Sequence, residues 1–116
     1  MRYLLSLCTA LCLFAQPSTD LAQALNSSRQ RIDSIDDQIV KLLNERAQVV
    51  REVGLIKKQY HAPASAPGRE EQVLRRVSGN AQAPLTPPAV EVVYKAILHE
   101  MAAMEAAEME KLSNPR

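Results

Sequence analysis

SSRQRIDSIDDQIVKLLNERAQVVREVGLIKKQY, residues 27–60, contains no proline. Along it Ile32, Ile35, Ile39, Leu42, Val49, Val53 and Ile56 recur at alternating spacings of three and four. That period is the mark of one apolar helix face, and it predicts a long helix with this stripe buried. The repeat calls for an apolar residue at 46 and meets Arg46 instead. A guanidinium on a core-facing stripe is costly unless it is paired. No acid shares the stripe, so its partner is either a carboxylate elsewhere in the assembly or an anionic ligand.

Working outward from this helix, Ser27 and Gln30 form the pattern of a capping box, which sets the expected start at Ser27 and the end near Tyr60. HAPASAP, residues 61–67, forms a loop, because prolines at 63 and 67 break the helical repeat. A short helix is predicted from about Pro67 to Ser78, stopping at Gly79-Asn80. Thr86 followed by Pro87 opens a third helix that runs to about Lys111. No segment alternates polar and apolar residues as a strand would. The fold class is all-α.

Upstream, Met1-Arg2 precedes an apolar run from Tyr3 to Ala15, then a polar stretch and Ala22-Gln23-Ala24. This is the pattern of a secretory signal peptide, residues 1–24, cut after Ala24. The run falls short of the ~20 residues that span a bilayer. The mature protein, residues 25–116, is therefore expected to be periplasmic or secreted, with no membrane attachment. Cys8 and Cys12 both fall in the removed segment, leaving no disulfide. The whole chain is 47% hydrophobic and 23% charged with a formal net charge of +1. It lacks the basic excess that nucleic-acid binding needs, and at 3% aromatic it lacks stacking platforms for bases. His61 and His99 have no companion at metal-ligand spacing, so neither is expected to hold a metal.

About 34 residues at 1.5 Å rise make a rod of ~50 Å, whereas a compact domain of this size is only ~30 Å across. The long helix overhangs any globule of its own chain, so an interlocked homodimer is expected. Helix geometry also sorts the cations. Arg46 and Lys57, eleven residues apart, share a face and can reach one small anion between them. Gly54 leaves room there for a ligand or a helix. Arg29 lies ~25 Å from Arg46 along the axis and reaches the same ligand only across a dimer.

Arg29 to Asp36, Leu42-Leu43-Asn44-Glu45-Arg46, Val53-Gly54-Leu55-Ile56-Lys57 and Gly68-Arg69-Glu70 together resemble the all-α chorismate mutases. The similarity extends from Leu25 to about Ala107. It implies an intertwined three-helix homodimer that rearranges chorismate to prephenate, a step of aromatic amino acid biosynthesis in the shikimate pathway. It further implies that Arg29 from the partner chain and Arg46 grip the two carboxylates. Lys57 would contact a carboxylate and the ether oxygen, Arg69 would help hold the substrate, and Glu70 would take the ring hydroxyl. Ile97-Leu98-His99 sets the register that puts Glu105 where many members have a glutamine at the ether oxygen. An acid there would have to be protonated to donate a hydrogen bond. Met101 and Ala66 replace polar residues of some members. The resemblance also admits an isochorismate pyruvate lyase, which shares fold and cationic site but lacks the glutamate matched by Glu70. A non-catalytic periplasmic helical dimer is the third reading, with Arg29, Lys57 and Arg69 as solvated surface charges, Arg46 bridged to Glu45 or Glu52 of a partner helix, and Glu105 one more acid on a wet face.

Overall fold

The computed structural model describes residues 19–114. It contains three helices, α1 (Thr19–Gln59), α2 (Pro67–Ser78) and α3 (Pro87–Ser113), and no strand among the described residues. The chain divides into two units, one ending at Gln38 and the other beginning at Ile39. The first contributes the N-terminal part of α1, whose side chains from Asp20 to Gln38 are all exposed. The second holds the C-terminal part of α1 with α2 and α3.

α1 begins eight residues before the expected start. Ser27 and Gln30 are interior helical residues, so no capping box forms there. The reason lies in the local sequence. Asp20 places a negative charge in the first turn, where it complements the helix dipole. Leu21, Ala22, Gln23, Ala24 and Leu25 are all good helix formers. The proposed cleavage residues Ala22-Gln23-Ala24 thus lie within α1, while Cys8, Cys12 and the apolar run of the signal-peptide reading lie outside the described residues. No helix of the described residues is long and apolar enough to cross a membrane.

The other boundaries follow the predicted chemistry. Pro67 opens α2, and the Thr86 side chain accepts from the Ala89 backbone N–H at 3.4 Å to cap α3. The end of α1 is closed by a Schellman arrangement. The Ala62 N–H reaches the Lys57 carbonyl at 2.8 Å, and the His61 N–H reaches the Lys58 carbonyl at 3.2 Å. This turn needs a left-handed residue, and His61 supplies it at φ 53°. Glycine is the usual occupant.

The core of the second unit is small. Val73 and Val77, one turn apart on α2, are its buried apolar side chains, and α2 packs against α3. The expected burial of the α1 stripe is not met within the chain. Ile32, Ile35, Ile39, Leu42, Val49, Val53 and Ile56 are 40–62% exposed. The covered positions of α1 after Ile39 are instead Leu43, Arg46, Ala47, Val50, Gly54, Lys57 and Lys58. At about 100° per residue, this second face is centred about 90° around the helix from the stripe. Arg46 and Lys57 sit where the two faces meet. Their own chain covers one side of each cation, and the apolar stripe adjoins the other.

Candidate active site

A cavity of about 520 Å³ opens in the second unit between the C-terminal half of α1, α2, α3 and the loop before α2. α1 contributes Arg46, Val49, Val50, Val53 and Lys57 to its wall. α2 contributes Arg69, Glu70, Val73 and Arg76, and α3 contributes Leu98, Met101, Ala102, Glu105 and Ala106. Helical register explains the selection. Arg46, Val50, Val53 and Lys57 follow spacings of four, three and four, as do Leu98, Met101/Ala102 and Glu105. An apolar floor thus carries charged groups at its edges, which strengthens their attraction for an oppositely charged ligand.

Lys57 is the most tightly held cation. Its Nζ donates to the Ala64 carbonyl at 2.7 Å and to Glu105 Oε1 at 2.7 Å. The pair is largely withdrawn from water, with side-chain exposures of 19% for Lys57 and 10% for Glu105. Glu105 is the one buried charged residue among those described. Removing either partner would leave a largely desolvated charge uncompensated. Gly54 makes this pairing possible. A Cβ built at position 54 would stand 3.1 Å from Glu105 Cγ, 3.5 Å from Met109 Cγ and 3.7 Å from Glu105 Oε1. The room left by Gly54 is therefore taken by a helix, not a ligand. It brings α3 close enough for the Glu105 carboxylate to lie against Lys57.

Arg46 differs from Lys57 in having no such partner. Its Nη1 is buried with no hydrogen-bond partner. An orphaned guanidinium nitrogen in a cavity wall is unfavourable in isolation and becomes favourable when an acceptor enters. Arg69 and Glu70 stand side by side at the start of α2, exposed along their edges and lining the same cavity. Both have their backbone N–H groups on the Ala66 carbonyl, at 3.0 and 3.2 Å. Ala66 offers no side-chain cap.

The cavity therefore gathers Arg46, Lys57, Arg69, Glu70 and Glu105 from three helices. Arg29 is not among its lining residues and belongs to the N-terminal unit. Met101 lines the wall one turn before Glu105, as the register implied. Arg76 is the functional candidate that sequence reasoning passed over. Its signal was present, since it follows Arg69 by seven residues and so shares that face of α2. No cluster of three potential metal-ligating side chains occurs among the described residues.

Three helices around a cavity rimmed with cations define an all-α protein suited to a small anion. More particularly, the chain belongs to the type II chorismate mutase family, whose model matches residues 28–106. It is 34% identical over 88 residues to the bifunctional chorismate mutase/prephenate dehydratase of Neisseria gonorrhoeae, covering 76% of this chain and 24% of that protein. It is also 35% identical over 57 residues to the chorismate mutase of Methanocaldococcus jannaschii, covering 49% of this chain and 58% of that one. The chain spans a quarter or less of the length of the bifunctional relatives it matches. Among solved structures, the form II chorismate mutase of Thermus thermophilus aligns with a TM-score of 0.69 at 24% identity, over 72% of this chain and 94% of its own. The Helicobacter pylori chorismate mutase in complex with prephenate aligns at 0.70 and 22% identity, over 77% and 97%. These two similarities establish the fold.

Proposed function

We propose that this protein is a chorismate mutase, converting chorismate to prephenate. The observation that carries the reading is Arg46, whose buried Nη1 has no partner in a cavity also lined by Lys57, Arg69, Glu70 and Glu105. Family membership and the prephenate complex of the Helicobacter pylori relative support the choice of ligand.

The reaction is an intramolecular pericyclic rearrangement, so it requires no nucleophile, metal or cofactor from the protein. Catalysis reduces to holding the dianion in its compact conformer and stabilising charge on the ether oxygen as its bond breaks. Arg46 and Arg69 offer planar two-pronged grips for carboxylates. Lys57 offers a point charge to the ether oxygen, with Glu105 beside it, and Glu70 accepts from the ring hydroxyl. Lys57 donates to both Glu105 and the Ala64 carbonyl, and these two bonds hold the ammonium in place. Such preorganisation lowers the cost of reaching the transition state.

The working unit on this reading is a homodimer in which the apolar stripe of α1 is covered by a second copy, whose Arg29 completes the cavity. The exposure of seven large apolar side chains along one face supports it. Residues 1–24 act as a signal peptide, and the enzyme works in the periplasm or outside the cell, free of the membrane. Cleavage after Ala24 would remove the first turns of α1 and leave Ser27 and Gln30 near the new helix start, where their capping box could form.

Purified protein mixed with chorismate, then separately with isochorismate, tests the assignment. Loss of chorismate with formation of prephenate is expected. Turnover of isochorismate alone would establish the lyase instead, a reading that Glu70 in the cavity disfavours. Turnover of neither would leave a binding or structural dimer. Sequencing the N-terminus of the protein from a periplasmic fraction tests export, and an intact Met1 in the cytoplasm would refute it.

A further inference from the structure

The cavity wall carries four cations, Arg46, Lys57, Arg69 and Arg76, against two acids, Glu70 and Glu105, a formal excess of two positive charges. The whole chain has a formal net charge of only +1. Positive charge is thus concentrated where a dianion would bind, and Arg76 contributes half of the excess. Its placement differs from that of the other three cations. Arg69, Val73 and Arg76 fall at intervals of four and three on α2, so Arg76 lies two turns from Arg69 along the same wall. The adjacent Arg75 is tied to Glu71 at 3.4 Å, whereas Arg76 makes no ion pair or side-chain hydrogen bond among the described residues. Arg76 also lines a second, smaller concavity with Asn80, Gln82, Leu85 and Tyr94, and it is the residue common to both walls. Arg76 is exposed and forms part of the wall of both hollows.

Resting on the mutase reading, we propose that Arg76 is a substrate-capturing residue at the cavity mouth. It takes a carboxylate of the incoming dianion from solvent and passes it toward Arg69 and Arg46. A charge in this position acts on encounter and affinity more than on the bond-breaking step, and its effect is screened by salt. It therefore belongs in kcat/KM and its ionic-strength dependence, not in kcat.

The experiment compares wild type, Arg76→Gln, Arg76→Lys and, as the control for general surface charge, Arg75→Gln. Steady-state kinetics on chorismate across a salt series are combined with equilibrium titration by prephenate. Arg76→Gln is expected to lower kcat/KM about three- to tenfold at low salt through KM, with kcat nearly unchanged and the deficit shrinking as salt rises. Arg76→Lys should recover most of the loss and Arg75→Gln should match wild type. Arg76→Gln that tracks Arg75→Gln in both KM and salt slope would overturn the proposal while leaving the mutase reading intact. So would a fall in kcat at constant KM. If wild type binds prephenate but does not turn over chorismate, the mutase reading fails and the titration alone decides, weaker binding by Arg76→Gln upholding the capture role. Wild type that neither binds prephenate nor turns over chorismate refutes both.

Discussion

Lys57 and Arg46 answer the same physical problem in opposite ways. Each is a cation at the boundary of an apolar helix face, where an unpaired charge is penalised. Lys57 resolves it within the chain, through Glu105 and the Ala64 carbonyl, and Arg46 leaves one buried nitrogen without a hydrogen-bond partner. Arg46→Ala and Lys57→Ala should each lose about 3–4 kcal/mol of transition-state stabilisation, read from kcat/KM with helicity checked in parallel. Lys57→Arg should also be poor, because a planar fork cannot reproduce a point charge held by two acceptors. Near-normal turnover in either alanine variant would remove the cationic site. Glu105→Gln probes the other half of the pair. The amide oxygen still accepts from Lys57 while the amide nitrogen supplies a permanent donor toward the ether oxygen. Activity should be kept in Glu105→Gln and largely lost in Glu105→Ala, which leaves the Lys57 ammonium without its side-chain acceptor. Near-normal turnover in the alanine variant, with helicity preserved, would take Glu105 out of the reaction.

Helix ends and helix-to-helix ties decide how firmly these residues are held. The Schellman turn that ends α1 draws on the Lys57 carbonyl, so the same residue anchors the cap and serves the cavity. His61 occupies the left-handed position at φ 53°, which costs a residue with a Cβ roughly 1 kcal/mol relative to glycine. His61→Gly should therefore stabilise the protein by about that amount in urea unfolding, although glycine's greater freedom in the unfolded chain offsets part of the gain. His61→Ala should bring no such improvement. Further along, Glu108 accepts from Lys111 at 2.8 Å and faces Arg51 of α1 at 3.6 Å. The Lys111 hydrogen bond and charge, with a smaller contribution from Arg51, hold its carboxyl below the ordinary value of 4.5. A lowered carboxyl stabilises the fold above its unfolded-state value, and that contribution is lost as pH falls through the lowered one. Glu108→Gln should then be less stable than wild type at neutral pH, and the two melting curves should converge in acid. A gap that persists in acid would show that the ionised carboxylate is not what matters.

At the scale of the molecule, an apolar stripe exposed along α1 in a single chain is an unfinished surface. Burying one such side chain is worth about 1.5–3 kcal/mol, so seven of them outweigh the two buried valines of the chain's own core. The folded protein should be dimeric at low micromolar concentration, with a melting temperature that rises with protein concentration. A folded monomer in sedimentation would refute this. Arg29 makes the test functional. Arg29→Ala and Arg46→Ala homodimers should each be nearly inactive, while a mixed dimer should regain one intact site. No recovery in a verified mixed dimer would exclude Arg29 from the partner's cavity.

What was legible in the sequence is what local chemistry dictates. Proline at N1, threonine before proline and the Gly79-Asn80 stop bound α2 and α3 through contacts within a few residues. The all-α class follows from periodicity alone. The shared face of Arg46 and Lys57 was legible too, because a helix fixes the direction of every side chain relative to its neighbours. The start of α1 was misread, since Ser27 and Gln30 have capping chemistry but the helix-forming residues before them carry the helix through. Only the tertiary structure decided which face of α1 its own chain covers, that Gly54 admits Glu105, and that Arg76 joins the cavity. Lys57 and Glu105 are 48 residues apart, and no local rule selects one buried partner from the acids of α3. That choice depends on how closely two helix backbones approach, and closeness of approach is a property of packed surfaces.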